Sequence, residues 1–360
     1  MRKNCLNYPI EFADDLFAAG GDVLADVLRS VTGTESPRVM MVADLNVVQR
    51  TEGLGTRIGA WVRDRGVALA GSPIVLGGGE KIKGDGFQSA LRIVSAALAP
   101  EAGRVDALVV IGGGSVIDVA GWAAAQVRGG LKTVRIPTTV AAMVDSAYAE
   151  TAALNLTGRK DVLCVPCPPA AVVIDLGFAH TVLDGVWRGG FAEALRVAAA
   201  CDATLLKRLL ELSEAFRGRD DAALAEVVRA VVKVRRSVPV PPLALWGAVR
   251  LEEMSGYKLP HGYAVALGLM LDAAYAVCRG QLPEETRAAW TQALSASGVL
   301  DGAAPSRHLL SRSDDLLAGL DAWAATRPGA GFCFPAGDGR CASEEFPDKD
   351  TMKAALDLIK

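Results

Sequence analysis

Residues 105–146 constrain the fold of this chain more than any other stretch. Five consecutive apolar residues, Ala107-Leu108-Val109-Val110-Ile111, read as a strand buried on both faces. The run breaks into Gly112-Gly113-Gly114-Ser115, and apolar residues then recur at helical spacing over 116–127. Arg128-Gly129-Gly130 closes that helix, and 133–136 reads as the next strand, stopped by Pro137. The order strand, glycine turn, helix, strand makes a parallel unit. Its glycines let a ligand approach the backbone, and the free N–H groups of the helix start attract a pyrophosphate. The turn is not the G-x-G-x-x-G fingerprint, and alone it serves equally as a tight connection without a ligand.

The flanking sequence extends the pattern. Residues 38–42 (RVMMV) predict a core strand ending in Ala43-Asp44-Leu45-Asn46, 51–65 a helix, and 73–76 a short strand. Gly77-Gly78-Gly79-Glu80-Lys81-Ile82-Lys83-Gly84 follows, then a helix over 86–98, and Ala171 to Asp175 (AVVID) is the last strand of this kind. Alternating helices and apolar strands predict an α/β domain over 1–175, a parallel sheet covered by helices on both faces. Beyond it the texture changes. Helical periodicity over 186–200, 202–216, 221–234, 243–254, 264–278, 284–297 and 312–325 predicts a mostly α-helical domain over 176–360. Its tail, from Gly331, reads as a short strand or loop and one final helix.

Composition excludes several classes. A net charge of −3 leaves no basic face for nucleic acid. The opening MRKNCLNYPIEFADDLF carries acids where a signal peptide needs an apolar core, and no run reaches transmembrane length. The seven cysteines are scattered; Cys164 and Cys167 form a C-x-x-C with no second pair at zinc-finger spacing. A cytoplasmic protein with reduced thiols and no membrane partner is expected.

Taken in order, Asp44-x-Asn46, Gly79-Glu80-Lys81-x-Lys83, Gly112-Gly113-Gly114-Ser115-x-x-Asp118 with Gly121, Arg128-Gly129, and Ile136-Pro137-Thr138-Thr139 form one pattern. It continues through Met143-Val144-Asp145-Ser146, Asn155, Gly158-x-Lys160, Gly190-Phe191-Ala192-Glu193, Lys233 and His261-Gly262-x-Ala264-Val265. The sequence resembles the dehydroquinate synthase family of sugar phosphate cyclases, a group related to glycerol dehydrogenases and iron-containing alcohol dehydrogenases. Each motif alone is weak, but the likeness covers nearly the whole chain.

The resemblance implies an NAD-binding α/β domain, a helical metal and substrate domain, and a homodimer. It places NAD on Asp44, Asn46, Glu80, Lys83, Gly113, Gly114, Ser115, Asp118, Thr138, Thr139, Asp145 and Lys160. The residue types agree: carboxylates accept ribose or amide hydrogen bonds, glycines admit a pyrophosphate, and threonine hydroxyls hold phosphate or ribose. For Glu80 and Lys83 taken alone, a solvated turn is the simpler reading. The family's zinc or cobalt is held by one Glu and two His, and here Glu193 and His261 match two of the three. Catalytic candidates are Lys160, Arg196, Lys233, His261 and the phosphate contact Arg128.

The departures lie in the catalytic half. The remaining ligand comes from a G-H-T-x-x-H-type helix, and the equivalent stretch, Leu243 to Val249 (LALWGAV), has no histidine. The chain has only three histidines, and His180 and His308 match no ligand position. Thr151 stands where the family places one lysine, and Arg196 where it places another. Glu193 and Arg196 share a helix face and can pair, and arginine holds a charge better than it trades a proton. The substrate-gripping loop is shortened to 234–242, leaving Arg235 or Arg236 to stand in. An unpaired carboxylate among alanines is costly, so Glu193 is expected to meet a cation; His261 fits either a site or a helix cap, and Trp246 reads as packing. Three functions stay open. One is a cyclase or lyase of specialised metabolism, acting on a phosphorylated ketose or related polyol other than the dehydroquinate precursor. The others are a metal-independent NAD oxidoreductase and an inactive NAD-binding homologue.

Overall fold

In a computed structural model, residues 6–127, 129–327, 329 and 331–359 are described. The chain forms two compact units, one over Asn7–Leu183 and one built from Asp184 onward.

The first unit follows the order β1 (Ile10–Ala13), α1 (Val23–Thr32), β2 (Arg38–Asp44), α2 (Leu45–Arg50), α3 (Leu54–Asp64), β3 (Ala68–Leu69), β4 (Ile74–Leu76), α4 (Gln88–Leu98), β5 (Ala107–Gly112) and α5 (Gly114–Gln126). It continues with β6 (Lys132–Pro137), α6 (Val140–Val144), β7 (Thr151–Leu156), β8 (Arg159–Pro166) and β9 (Ala171–Asp175). Seven strands form a sheet in the order β1-β9-β6-β5-β2-β3, with β4 also on β2, and every pairing is parallel. The apolar run 107–111 is the buried centre of this sheet. The chain leaves β2 for β3 and β4 on one side, then returns to β5 on the other. The carboxyl ends of β2 and β5, registered Ala43 against Ile111, therefore flank a topological switch point, where open α/β sheets bind ligands.

Several expectations need correction. The helix expected over 51–65 is α3, beginning at Leu54, and a separate short helix, α2, precedes it, started by the Asp44 carboxylate accepting from the Asn46 N–H. The edge strand β1, helix α1 and the antiparallel hairpin β7–β8 were not read from the sequence. The hairpin is tied to the sheet by buried Arg135 of β6. Its guanidinium donates to the carbonyls of Ala147 (3.2 Å), Ala149 (2.7 Å) and Cys167, which explains a charge inside a core strand.

The second unit comprises α7 (Asp184–Cys201), α8 (Ala203–Arg217), α9 (Asp221–Ser237), α10 (Leu245–Met254), α11 (His261–Cys278), α12 (Glu284–Ala296), α13 (Val299–Ala303), α14 (Ser313–Thr326), the antiparallel hairpin β10 (Phe332–Pro335) and β11 (Cys341–Glu344), and α15 (Lys349–Asp357). The tail thus holds a two-stranded hairpin where one strand or a loop was expected. Among the described residues α11 alone has the length and composition of a membrane span, but 78% of it is buried inside the protein. It is the central helix of its unit, packed on α7 and α10. Helix α11 also begins three residues earlier than its apolar pattern, at His261 itself.

Candidate functional site

The first cluster of site residues gathers at the switch point. Helix α5 starts two residues before its apolar pattern, so Gly114 and Ser115 form its first turn directly after β5. The glycines are required by close approach. A Cβ on Gly113 would stand 2.9 Å from Thr139 Cγ2, and one on Gly114 2.8 Å from Ser146 Oγ. Thr139 itself caps α6, accepting from the Ala142 N–H at 3.1 Å, and Thr138 donates its N–H to Gly112 at 3.1 Å. Asp145 follows α6, where its N–H donates to Ala141. At the end of β2, Asp44 Oδ1 accepts from the Asn46 backbone N–H at 2.8 Å and from its side-chain amide at 3.0 Å. A Cβ on Gly78 would stand 2.6 Å from Asp44 Oδ2, so the Gly77-Gly78-Gly79 turn lies directly against this carboxylate.

The short 3-10 helix Glu80–Gly84 carries the second part. Lys83 is 4% exposed, which sets aside the solvated-turn reading. Its ammonium meets Asp118 of α5 at 2.6 Å, Asp161 of β8, and Glu80 at 3.8 Å. Burial alone would lower the Lys83 pKa, but the three carboxylates outweigh it and hold the ammonium well above the ordinary lysine range. Glu80 also lies 3.4 Å from Lys160 Nζ and accepts from Asn155 Nδ2 at 2.8 Å. Burial would raise the Glu80 pKa; Lys160 and Lys83 outweigh it and keep the carboxylate ionised. Asn155 Oδ1 in turn accepts from the Asp161 N–H at 2.9 Å. The hairpin β7–β8 thereby delivers Asn155, Lys160 and Asp161 to α5 and the 3-10 helix.

In the second unit, Glu193 of α7 and His261 of α11 come together because their helices cross at two glycines. A Cβ on Gly262 would stand 2.3 Å from the Cα of Gly189, so the backbones touch. Glu193 lies one turn after Gly189 and His261 just before Gly262, which brings Glu193 Oε1 to 2.9 Å from His261 Nε2. Arg196 Nε donates to Glu193 Oε2 at 2.8 Å, and one terminal nitrogen donates to the Pro241 carbonyl at 3.3 Å. Burial would raise the Glu193 pKa, but the Arg196 guanidinium and the His261 ring outweigh it and hold the carboxyl far below the usual range. On its other edge, His261 Nδ1 lies 3.0 Å from Oε2 of buried Glu252 on α10. Glu252 was missed from sequence; its spacing from His261 carries no motif, and only the packing of α10 on α11 reveals it. Lys233 is exposed on α9 and makes no ion pair among the described residues. Arg128 lies outside the described residues.

The stretch 243–249 has a buried role of its own. Trp246 donates its indole N–H to Asp272 Oδ1 at 2.9 Å, and the Ala244 N–H donates to Oδ2 at 2.7 Å. Trp246 is thus packing, but packing with a polar anchor. Burial pushes the Asp272 carboxyl up to about 7, the two hydrogen bonds pulling the other way.

The residues fit NAD better than they fit a metal. The glycine cradle, the start of α5 and the Asp44–Asn46 pair suit a dinucleotide. A catalytic zinc takes three protein ligands. Here Glu193 and His261 face each other, but Glu252 meets the opposite edge of the ring and does not converge with them. Among the described residues no group of three or more His, Cys, Asp or Glu is arranged to hold a metal ion. The donor set does not fit.

A fully parallel sheet with a glycine turn at its switch point is followed in the chain by a helical unit carrying a Glu–His pair. The profile of the 3-dehydroquinate synthase N-terminal family matches residues 73–188. The 3-dehydroquinate synthase of Saccharopolyspora erythraea is 30% identical over 271 residues, 71% of each chain. That of Pyrobaculum islandicum is 29% identical over 242 residues, 64% of this chain and 70% of its own. The solved structure of ValA, a 2-epi-5-epi-valiolone synthase from Streptomyces hygroscopicus with NAD+ and Zn2+ bound, superimposes with a TM-score of 0.84 at 23% identity, over 100% of this chain and 98% of that one. The chain belongs to the dehydroquinate synthase family.

Proposed function

We propose that this chain is an NAD-dependent cyclase that converts a phosphorylated ketose, other than the precursor of dehydroquinate, into a carbocycle with release of phosphate. The observation that carries the reading is the buried Lys83 cage beside the glycine cradle: an ammonium shared by Asp118, Asp161 and Glu80, held against the turn that follows β5. In this reading Gly113, Gly114 and the first N–H groups of α5 hold the pyrophosphate, and Asp44 with Asn46 binds ribose or amide groups. Thr138, Thr139, Ser115 and Asp145 line the same turn, and Lys83, Glu80 and Lys160 keep the site charge-balanced. NAD would supply the acceptor for a hydride from the substrate's carbinol carbon and the donor for its return, so that the overall reaction would be phosphate elimination and ring closure with no net oxidation. His261 is the group placed to contact a substrate hydroxyl, with Glu193 and Glu252 orienting its ring. Lys233, Arg128 and the short segment 238–242, which follows α9 because the structure keeps 234–237 helical, are assigned to the phosphorylated end of the substrate. Arg196 and the histidine-free 243–249 stretch depart from the family pattern and favour a substrate of specialised metabolism.

A second reading, an NAD oxidoreductase without elimination, is favoured by one observation: Glu193 is paired to Arg196, so that hydride transfer to NAD would proceed without a metal, with His261 or Lys160 accepting the hydroxyl proton. Calorimetry with NAD, then phosphate release and absorbance at the NADH band with a panel of phosphorylated seven-carbon ketoses, separates the two. The expected result is micromolar NAD binding, about −8 kcal/mol, and phosphate release without net NADH. Net NADH without phosphate would replace the cyclase by the oxidoreductase, and absence of NAD binding would overturn both.

A further inference from the structure

We propose that the buried guanidinium of Arg196 stands in this chain for a divalent cation, so that the Glu193–His261–Glu252 assembly is charge-compensated without metal and presents the His261 ring to substrate. The inference rests on the cyclase reading for its substrate, but its test needs neither substrate nor NAD.

Glu193 Oε2 accepts from Arg196 Nε at 2.8 Å, while buried Oε1 faces His261 Nε2 at 2.9 Å without completing a hydrogen bond. Glu193 and Arg196 side chains are 1% and 2% exposed, so water cannot take over either role. Arginine stays charged under all working conditions, and its second anchor on Pro241 fixes the guanidinium in place. A further metal donor would have to come from the face of α10 that carries Glu252. Residues one and two turns before Glu252 on that face are Val249 and Leu245, which have no donor atom. Trp246 offers only an N–H, and Asp272 already accepts it. Glu252 is turned to Nδ1, the ring edge that orients the imidazole. Of the four groups, His261 alone reaches solvent, at 37% side-chain exposure. Arg196 is therefore a positioning residue, and the group that meets substrate is an imidazole edge.

The test is metal analysis of the purified full chain, with thermal melts after chelation and with ~100 µM zinc, on the wild type and Arg196→Met. The wild type is expected to carry well under one zinc per chain and to melt within ~1 °C of its untreated value in every condition. R196M, which frees the second Glu193 oxygen, is expected to melt lower and to regain several degrees with zinc, as a site of Kd near ~10 µM would give. Near-stoichiometric zinc in the wild type, or a fall of several degrees on chelation, overturns the proposal. So does an equal zinc response in wild type and R196M. Should R196M not fold, the wild-type metal content and chelation melt decide alone. NAD binding that fails while the metal results hold would sink the cyclase reading and leave this one standing.

Discussion

Gly189 and Gly262 bring α7 and α11 into backbone contact, and that contact sets the 2.9 Å approach of Glu193 to His261. A Cβ at Gly262 would fall 2.3 Å from the Cα of Gly189, with backbone and not a flexible side chain in its way. The helices would have to separate, and His261 would move with α11.

Gly262→Ala is therefore expected to cost about 3 kcal/mol or more in denaturant unfolding, the upper range of overpacking. The surviving folded fraction should lose turnover further, since His261 no longer meets Glu193. An unfolding midpoint equal to wild type would show that the crossing is looser than described.

Gly114→Ala separates binding from stability. Alanine in the first turn of α5 gains helix propensity, while its Cβ meets Ser146 Oγ, the end of a side chain that can turn away. Stability should change by less than about 1 kcal/mol. NAD affinity should fall tenfold or more, about 1.4 kcal/mol, because the methyl fills the space of the pyrophosphate. Calorimetry beside a melt reads both, and unchanged affinity would remove the cradle from the cofactor site.

Lys83→Met leaves Asp118, Asp161 and Glu80 without their shared cation. Removing one partner of a buried ion pair costs about 3–5 kcal/mol. The loss should be largest at neutral pH and shrink in acid, where protonation relieves the carboxylates. Melting curves at pH 5 and pH 8 test the sign. A uniform loss across pH would mean that Lys83 acts by packing alone.

Asp272 gives the opposite pH dependence. Its folded pKa, about 7, lies above the ordinary aspartate value near 3.9, so the folded state binds the proton more tightly than the unfolded chain. Its contribution is most favourable below the unfolded pKa and is lost as pH rises through about 7, a swing of about 4 kcal/mol at most. Asp272→Asn, which keeps an acceptor for the Ala244 N–H, should flatten the stability profile between pH 4 and pH 8. Identical wild-type and variant profiles would mean that Asp272 does not titrate there.

The amino-acid sequence by itself determined the central sheet and its glycine turn. An unbroken apolar run such as 107–111 has no comfortable place outside a doubly covered strand, and glycines followed by a helical period leave few alternatives. The same local logic carried the Glu193–Arg196 pair, one helix turn apart, whereas Asp44 and Lys83 came from the family resemblance, since Lys83 taken alone reads as a solvated turn. The hairpin β7–β8 stayed hidden because Arg135, from another strand, supplies the polar contacts that hold it. Only the tertiary structure decided that Lys83 is buried among three carboxylates, that Glu252 meets the far edge of His261, and that Asp272 anchors Trp246. Each of these joins segments with no shared period or motif. The contacts exist because α10 packs closely on α11 at Gly247 and Gly268 and because a hairpin folds over α5, and close packing of such elements is a property of the whole core.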